Sequence, residues 1–564
     1  MNRAERRRQA KLQGGAGPSR GTPDVQSALQ DAISFHRAGR HLEAESLYKQ
    51  ILEAHPRHAE ALHLSGILAY QTGQLDKAVQ LLSQAIQQDS GKAPYFYNLG
   101  VVLQKQGKLE EASSAYLKAL ALNPRYVEAQ SNLGTVLMEQ DRWAEAAARY
   151  EKLLALKPDY VEAHNNLGVV LKELGRTEEA VASYRRALAL KPDHVEAHCN
   201  LGTALLDDDK PDEAVASFER ALALKPDYVK AHYNLAFAYL RQHHLDRALA
   251  SLRKSADLKY NHGRPVPDQL VYKSRLKHDA EQVQYLLDRG VLPQGYILYL
   301  EALKQLRQRA ARQPGSGTRV ALGRDELRDI APSFNRILHY ADCPALPGGA
   351  VNPALNRAEI EARYNASHPE VTYVDGLLTD EALQSLRKFC LESTIWKRDY
   401  ENGYVGAFFG DGFACPLLLQ VAEELRERFP GIFKDHPLLQ SWAFKCDSEM
   451  KALNMHADAA AVNVNFWITP DEANLDQESG GLIVWDKEAP KEWNFKEYNS
   501  TRNEPKVREF LRASGAKAVR VPYRQNRAIV FNSDLFHESD VIRFREGYEH
   551  RRINVTLLYG RRGT

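Results

Sequence analysis

The chain has 564 residues, of which 44% are hydrophobic and 26% are charged, and its formal net charge is +2. This length exceeds one ordinary hydrophobic core and predicts roughly two to four domains of a soluble globular protein. The small net charge argues against nucleic acid as a partner, and the lack of a long apolar run argues against a membrane span. The five cysteines are widely spaced, so we expect no disulfide framework, no thiolate zinc site and a reducing, cytoplasmic location.

The first 24 residues are basic and lack an apolar segment. Met1 to Arg20 contains six basic residues against Glu5 alone, a pattern that does not predict a secretory signal. We expect a solvated, disordered tail over residues 1–24, with a weak tether to nucleic acid or to a surface as the alternative.

A period of 34 residues organises the sequence from residue 25 to residue 262. Proline and glycine recur at this spacing, the prolines at 56, 124, 158, 192 and 226 and the glycines at 66, 100, 134, 168 and 202. Small residues let paired helices approach closely, and the proline ends the second helix of each unit. The period predicts about seven two-helix units, stacked into an all-α superhelix with a concave groove.

One asparagine recurs in the later units, two positions before the glycine or alanine of the series. These residues are Asn98, Asn132, Asn166, Asn200 and Asn234. A side-chain amide both donates and accepts, so this ladder can bind the backbone of an extended peptide of any sequence. The alternative is that the asparagines bond between neighbouring helices and contact no ligand.

The period and the phrases Tyr97-Asn98-Leu99-Gly100 and Asn165-Asn166-Leu167-Gly168 resemble the tetratricopeptide repeat, and in particular the repeats of O-GlcNAc transferase. That resemblance implies that the asparagine ladder holds a protein or peptide. The first two units depart from it, with Gln30 and Leu64 at the matching positions. A glycosyltransferase is not expected, because the residues after 262 contain no Gly-x-Gly-x-x-Gly turn and read as strands.

Beyond residue 262 the period stops. Residues 263–370 predict a mainly helical connector, interrupted at Gln313-Pro314-Gly315-Ser316-Gly317. No chemistry is assigned to this connector.

Residues 371–564 form the next predicted domain. A strand at Val371–Asp375, a helix from Thr379 as N-cap through Cys390 and a helix at Pro416–Phe429 lead into it. Alternating and β-branched residues then predict strands at 441–446, 461–468, 481–485, 518–522, 527–532 and 552–558. Helices followed by such strands predict an eight-stranded jelly roll, that is, a double-stranded β-helix.

His456 and Asp458 lie two positions apart in this domain, and His537 follows a buried strand. On a strand, residues two apart point the same way, so His456 and Asp458 can share a metal with His537. His244 and Asp246 have the same spacing, but they lie in a predicted helix, where such residues diverge. Two imidazoles and one carboxylate suit Fe(II) that activates oxygen. The alternative for each histidine alone is a hydrogen-bonded core residue.

The last predicted strand places Arg552, Asn554 and Thr556 on one face. An inward arginine on an apolar strand needs an anionic partner, which a dicarboxylate co-substrate would supply. Arg551 points the opposite way and is expected at the surface.

Residues 371–564 therefore resemble the 2-oxoglutarate- and Fe(II)-dependent dioxygenases. The resemblance implies that His456, Asp458 and His537 bind iron, that Arg552, with Asn554 beside it, binds the far carboxylate of 2-oxoglutarate, and that O2 is consumed, with ascorbate as a candidate auxiliary. Gly480-Gly481-Leu482-Ile483-Val484 looks like the Gly-Gly strand of prolyl-hydroxylase-like members. Two departures are the predicted inserted loops at 471–480 and 486–515, and the missing tyrosine before His456, which leaves a second 2-oxoglutarate-binding group open.

The combination predicts an enzyme that hydroxylates a protein or peptide captured by the repeats. One alternative keeps the dioxygenase but gives it a small-molecule substrate, with the repeats used for assembly. Another is a repeat scaffold with an inactive oxygenase fold.

Overall fold

A computed structural model of the chain describes residues 25–262, 270–312, 319–367, 369–400, 403–433, 436–450, 455–490, 493, 499 and 503–560. The basic tail predicted at 1–24 and the break predicted at 313–317 lie outside these residues. The chain forms two compact units, Met1–Asp208 and Asp209–Thr564. Within the described ranges, no helix has both the length and the apolar character needed to cross a membrane.

Fourteen consecutive helices occupy the described residues up to 260, two for each predicted repeat, which confirms the two-helix units. They are α1 Val25–Arg37, α2 His41–Ala54, α3 Ala59–Gln71, α4 Leu75–Gln88, α5 Ala93–Lys105, α6 Leu109–Leu122, α7 Val127–Glu139, α8 Trp143–Leu156, α9 Val161–Glu173, α10 Thr177–Leu190, α11 Val195–Asp207, α12 Pro211–Leu224, α13 Val229–Arg241 and α14 Leu245–Tyr260. The first eleven belong to the first unit, and the last three belong to the second.

Three of the periodic glycines, Gly100, Gly134 and Gly168, are explained by the tyrosine ring that each one contacts, and Gly66 faces the side chain of Leu82 instead. A Cβ atom at Gly134 would lie 2.7 Å from Cζ of Tyr150, and one at Gly168 would lie 2.6 Å from Cε1 of Tyr184. Both tyrosine rings are buried. Because a tyrosine ring occupies the space that a larger residue would need, the two helices of a repeat pack closely only where glycine faces the ring.

The connector is built mainly from helices, with one small antiparallel pair of strands. The elements are β1 Leu270–Tyr272, α15 Lys273–Asp288, α16 Ile297–Arg312, β2 Arg319–Ala321, α17 Arg324–Ile330 and α18 Arg357–Ala366. Leu276, Leu286 and Leu303 form the centre of its apolar core. The connector thus has a core of its own and belongs to the second compact unit.

Two antiparallel sheets make up the described part of the C-terminal region. The larger sheet has seven strands in the order β3-β11-β8-β14-β6-β5-β4, the smaller has three in the order β10-β9-β12, and β7 pairs with β13. The strands are β3 Val371–Asp375, β4 Arg398–Asp399, β5 Tyr404–Phe408, β6 Leu438–Cys446, β7 Glu449–Met450, β8 Val462–Trp467, β9 Leu482–Glu488, β10 Ala518–Val521, β11 Arg527–Asn532, β12 Leu535–Ser539, β13 Ile542–Arg543 and β14 Ile553–Tyr559. Each of the seven predicted strands is present, whereas β5, β12 and the two-residue strands β4, β7 and β13 were missed.

Helices of this region are α19 Asp380–Glu392, α20 Pro416–Arg428, α21 Pro430–Phe433 and α22 Glu504–Ala513. The Thr379 side chain accepts a hydrogen bond from the amide of Ala382, so the predicted N-cap is confirmed. Helix α22 lies within the predicted inserted loop 486–515, part of which falls outside the described residues.

Both sheets contribute to one apolar core. Trp467 and Phe531 of the larger sheet lie in the same cluster as Val484 and Leu535 of the smaller sheet. Since the apolar faces of the two sheets meet there, the sheets pack face to face. The start of β12 also lies close to the start of β8, because the amide of Ser533 donates to the carbonyl oxygen of Ala461 at 3.1 Å.

The prediction that Arg551 lies at the surface is wrong. Only 3% of Arg551 is exposed. Its guanidinium lies 2.8 Å from Glu281 of α15 and 3.5 Å from Asp447, and Asp447 also pairs with Lys277 of α15 at 2.7 Å. The physical reason is that the connector helix α15 lies beside Arg551 and supplies Glu281 as its counter-ion, so the charged side chain is buried with a partner.

The glycine–tyrosine contact predicts that Gly134→Ala destabilises the repeats. Alanine favours a helix by about 1 kcal/mol, but overpacking against the Tyr150 ring costs about 1–3 kcal/mol. We expect a net loss of up to about 2 kcal/mol in the free energy of unfolding, measured by urea denaturation. Gly91→Ala is the matched control, because its nearest neighbour is a movable side-chain oxygen of Asp89 at 3.3 Å. Equal effects at both positions would contradict this account.

Candidate metal centre

The chain positions the three predicted metal ligands by pairing two segments. His456 lies before β8 and forms an isolated antiparallel bridge with His537 of β12. The two backbones exchange hydrogen bonds of 3.0 and 2.8 Å, and the amide of Asp458 donates to the carbonyl oxygen of Ser533 at 3.0 Å. His456 and Asp458 therefore lie beside a regular strand rather than within one, yet both reach the same site as His537.

The three side chains converge. Their potential ligand atoms all lie within 4.8 Å of one another, and among the residues that the structure describes they form the only such group of three or more histidine, cysteine or carboxylate side chains. The His537 Nε2 atom lies 3.4 Å from Oδ2 of Asp458. The structure thus brings together the three residues that the sequence predicts as metal ligands.

Neighbouring groups orient two of the ligands. His537 Nδ1 lies 3.0 Å from the carbonyl oxygen of Leu535. A carbonyl can only accept, so Nδ1 carries the proton and, in the neutral ring, Nε2 keeps its lone pair for a metal. The amide of Asn463 donates to Oδ2 of Asp458 at 2.7 Å. Such outer hydrogen bonds fix the direction in which metal ligands point.

The carboxyl group of Asp458 is held ionised. Burial by itself raises the pKa of Asp458, but the interactions with His537, His456 and Asn463 outweigh burial and lower this pKa below its ordinary value. The ionised carboxylate and Nε2 of His537 lie 3.4 Å apart, so one divalent metal ion placed beside them would have both as ligands.

Among the residues that the structure describes, Arg552 is a buried cation without a carboxylate partner. It is only 1% exposed, and it donates to the carbonyl oxygens of Gly480 at 2.7 Å and Gly481 at 3.3 Å, and to Oδ1 of Asn554 at 3.4 Å. Within the described ranges, no carboxylate oxygen lies within 4.0 Å of its guanidinium. Burial lowers the pKa of Arg552. Because a buried charge is costly unless it is paired, this position favours an anion.

The two glycines that bind Arg552 meet a strict steric requirement. A Cβ atom at Gly481 would lie 1.9 Å from the carbonyl oxygen of Val521, and Gly480 has φ +79°. Only glycine permits both the close approach of β10 and this backbone conformation. The Gly-Gly strand noted in the sequence thus presents its carbonyl oxygens to the arginine.

A single small cavity joins the triad to the arginine. Its volume is about 30 Å³, and it is lined by Trp442, Phe444, His456, Asp458, Asn465, Leu482, His537, Ser539, Arg552, Asn554 and Thr556. All five residues predicted for the C-terminal site are in this lining. The volume is that of about one water molecule, so a larger ligand requires the side chains to move apart.

Sequence reasoning missed the aromatic side of the cavity. Trp442 and Phe444 of β6 lie opposite Thr556 and Asn554 of β14. The signal was present as a period of two along β6, but it becomes informative only once β6 is known to pair with β14. These rings supply the apolar surface of the site.

The asparagine ladder lies on the first helix of successive repeats, and its amides make contacts within the repeats. Asn98 donates to Nε2 of His63 at 2.7 Å, and burial lowers the pKa of His63 to about 4, so this ring is a neutral acceptor. Asn166 donates to the Tyr150 hydroxyl at 3.3 Å and Asn200 to Oδ1 of Asn165 at 3.1 Å. Asn132 contacts the hydroxyls of Tyr97 and Tyr116, and Asn234 occupies the corresponding position on α13.

Comparison with family models identifies the repeats. Models of the tetratricopeptide repeat match residues 35–100, 131–195 and 205–262, and a further TPR repeat model matches residues 105–141. The N-terminal part of the chain, to about residue 260, therefore consists of tetratricopeptide repeats, as the 34-residue period predicted.

Solved structures of other repeat proteins are similar over part of the chain. A tetratricopeptide repeat protein from Parabacteroides merdae is 18% identical, with 42% of this chain and 94% of that protein covered and a TM-score of 0.35. YrrB, a TPR protein with an unusual peptide-binding site, is 27% identical, with 32% and 93% covered and a TM-score of 0.29. MamA from Desulfovibrio magneticus RS-1 is 20% identical, with 30% and 96% covered and a TM-score of 0.29. No curated protein matches the chain.

The hydrogen bond from Asn463 predicts that Asn463→Leu weakens metal binding while preserving all three ligands. Without the amide, Asp458 loses its fixed orientation, and such a loss lowers metal affinity by about 10–100-fold. Titration of the metal-free protein with Mn²⁺, followed by calorimetry, measures the effect, with circular dichroism to show that the variant is folded. An unchanged affinity in the folded variant would show that Asn463 does not orient the carboxylate.

Proposed function

We propose that this protein is an Fe(II)- and 2-oxoglutarate-dependent dioxygenase that hydroxylates a protein or peptide bound by its repeats. The observation that carries the proposal is that one cavity holds both a group of residues suited to bind a cation and a buried arginine suited to bind an anion. His456, Asp458 and His537 form a donor set for a divalent cation, and Arg552 is a buried cation without a carboxylate partner among the described residues. The two facing sheets would then be the halves of a double-stranded β-helix.

The donor set suits iron in its Fe(II) state. Two imidazole nitrogens and one carboxylate oxygen on one side of the ion leave further positions open, as in non-haem iron oxygenases. Bound iron would supply the activation of O2, coupled to decarboxylation of 2-oxoglutarate to succinate and carbon dioxide, with one oxygen atom transferred to the substrate.

The residues of the chain would hold and orient the reactants. Arg552, supported by Asn554, would bind the far carboxylate of 2-oxoglutarate in place of the carbonyl oxygens that it now contacts. Trp442 and Phe444 would keep the apolar side of the site dry, which strengthens the electrostatic contacts inside it. Bidentate pairing with a carboxylate also fixes orientation, because the guanidinium is planar.

The protein-directed part of the proposal rests on the repeats. Tetratricopeptide repeats generally bind protein partners, and the ladder places five amides at one repeated position. Such amides can bond to main-chain groups, which every polypeptide presents.

A dioxygenase acting on a small molecule is the second candidate. The observation that favours it is that the ladder amides already bond to neighbouring helices of the repeats. In that case the repeats would serve assembly, and the metal centre would act without them.

The proposed co-substrate site predicts a visible charge-transfer band when Fe(II) and 2-oxoglutarate are added together to the protein under anaerobic conditions. His537→Ala removes a metal ligand, so the band should be lost. Arg552→Ala removes the partner of the far carboxylate, so the band should need at least about tenfold more 2-oxoglutarate. Arg524→Ala is the matched control, since this exposed arginine forms a surface pair with Asp375 and such pairs contribute little. Folded wild-type protein that gives no band would overturn the enzyme proposal and favour the scaffold.

The ladder hypothesis predicts that replacing Asn132, Asn166 and Asn200 together with alanine lowers peptide-stimulated succinate formation, measured with a mixed-sequence peptide library. Binding of 2-oxoglutarate should stay unchanged, because these residues lie outside the metal cavity. Tyr150→Phe is the control, since it removes the internal partner of Asn166 but keeps the amide. Peptide stimulation that survives the triple replacement would favour the small-molecule candidate.

A further inference from the structure

Three buried polar atoms lie without a protein partner on the inward face of β8, among the residues that the structure describes. They are Oδ1 of Asn463, Oδ1 of Asn465 and Nε1 of Trp467. A buried polar atom without a hydrogen bond costs about 1–3 kcal/mol. Folded proteins keep few such atoms, so a row of three on one strand indicates a polar ligand.

Asn465 is the member of this row that lines the metal cavity. It is 6% exposed, and its Nδ2 atom donates to the Thr556 hydroxyl at 3.0 Å. The two residues face each other across β8 and β14. The oxygen atom of this amide, Oδ1, is therefore the atom that has no hydrogen-bond partner among the described residues.

Along β8, Asn465 lies between the metal end of the site and the Arg552 end. Two residues before it, Asn463 holds Asp458. Two residues after it, the ring of Trp467 lies 5.6 Å from the guanidinium carbon of Arg552. A ligand that reaches from the metal to Arg552 therefore passes Asn465.

The threonine hydroxyl lets the amide present either of its ends. A hydroxyl both donates and accepts, so Thr556 can accept from Nδ2 or, after a 180° turn of the amide, donate to Oδ1. The turned amide directs its N–H group into the cavity, where a carboxylate oxygen can accept it. The present orientation suits a neutral ligand, and the turned orientation suits an anion.

We infer that Asn465 is the second residue that binds the keto acid. Its amide donates a hydrogen bond to the carboxylate nearer the metal, and Thr556 is the positioning residue that sets the orientation of the amide. This inference rests on the proposed function, because it takes 2-oxoglutarate as the anion. Asn465 would then be the second 2-oxoglutarate-binding group, which the sequence analysis left open because the chain lacks the tyrosine before His456.

The test measures binding of 2-oxoglutarate to the full-length, Mn²⁺-loaded protein by calorimetry, with Mn²⁺ affinity measured separately. Asn465→Leu has nearly the same size but no hydrogen-bonding group, and we expect about tenfold weaker 2-oxoglutarate binding. Asn465→Asp adds a negative charge beside the anion and should weaken binding at least as much. Mn²⁺ affinity should stay within about threefold, because Asn465 is not among the metal ligands.

Two variants of Thr556 keep the inference testable if Asn465→Leu does not fold. Thr556→Val has the same shape without the hydroxyl and should weaken 2-oxoglutarate binding by about threefold to tenfold. Thr556→Ser restores the hydroxyl and should return the affinity to within about twofold of wild type. A role in packing alone would not produce this recovery, because serine lacks the methyl group.

Ser441→Ala is the matched control. The Ser441 hydroxyl is also buried without a partner among the described residues, but it belongs to the opposite face of the same sheet, across from Leu557. Its replacement should leave 2-oxoglutarate binding unchanged. If wild type binds 2-oxoglutarate and both Asn465→Leu and Thr556→Val bind it as tightly as wild type does, the inference about Asn465 is wrong, but the proposed function still stands. If wild type does not bind 2-oxoglutarate, the proposed function fails with it.

Discussion

The buried guanidinium of Arg552 imposes requirements on much of the C-terminal unit. With carbonyl oxygens as its nearest partners, it requires Gly480 and Gly481 to present their backbone to it, and Gly481 in turn must be glycine because β10 passes so close. On the other side of β14, Arg551 requires Glu281 and Asp447 as counter-ions. The connector helix α15 thus stabilises the segment before β14, where Arg552 follows Arg551, although it contributes no residue to the cavity.

The repeats depend on a simpler constraint of the same kind. Glycine on one helix and a buried tyrosine on the next determine how closely a helix pair can approach. The asparagine ladder uses the hydroxyls of some of the same rings, since Asn166 bonds to Tyr150. The tyrosines therefore both pack against the glycines and bond to the asparagine ladder, so a change in a tyrosine alters both sets of contacts.

The sequence predicted the repeats, the main strands and five C-terminal residues that the structure places around one cavity, because each of these predictions rests on a regular period or a fixed spacing. It did not reveal β12, although that strand carries His537, because Leu535-Phe536-His537-Glu538-Ser539 lacks the alternation that marks a half-buried strand. The burial of Arg551 and the aromatic side of the cavity were also missed. Both depend on contacts between segments far apart in the chain, which no local pattern records.

Charge balance in the cavity indicates which kind of anion the site would accept. Asp458 carries one negative charge, a divalent ion would add two positive charges, and Arg552 adds one more. A dicarboxylate brings two negative charges and makes the assembly neutral, whereas a monocarboxylate would leave one positive charge buried. Because an uncompensated charge is costly in a buried site, the same residues that suit a divalent metal also favour a dianion over a monoanion. The preference for a dianion over a monoanion would depend on the metal triad and Arg552 together, since neither of them alone would distinguish the two anions.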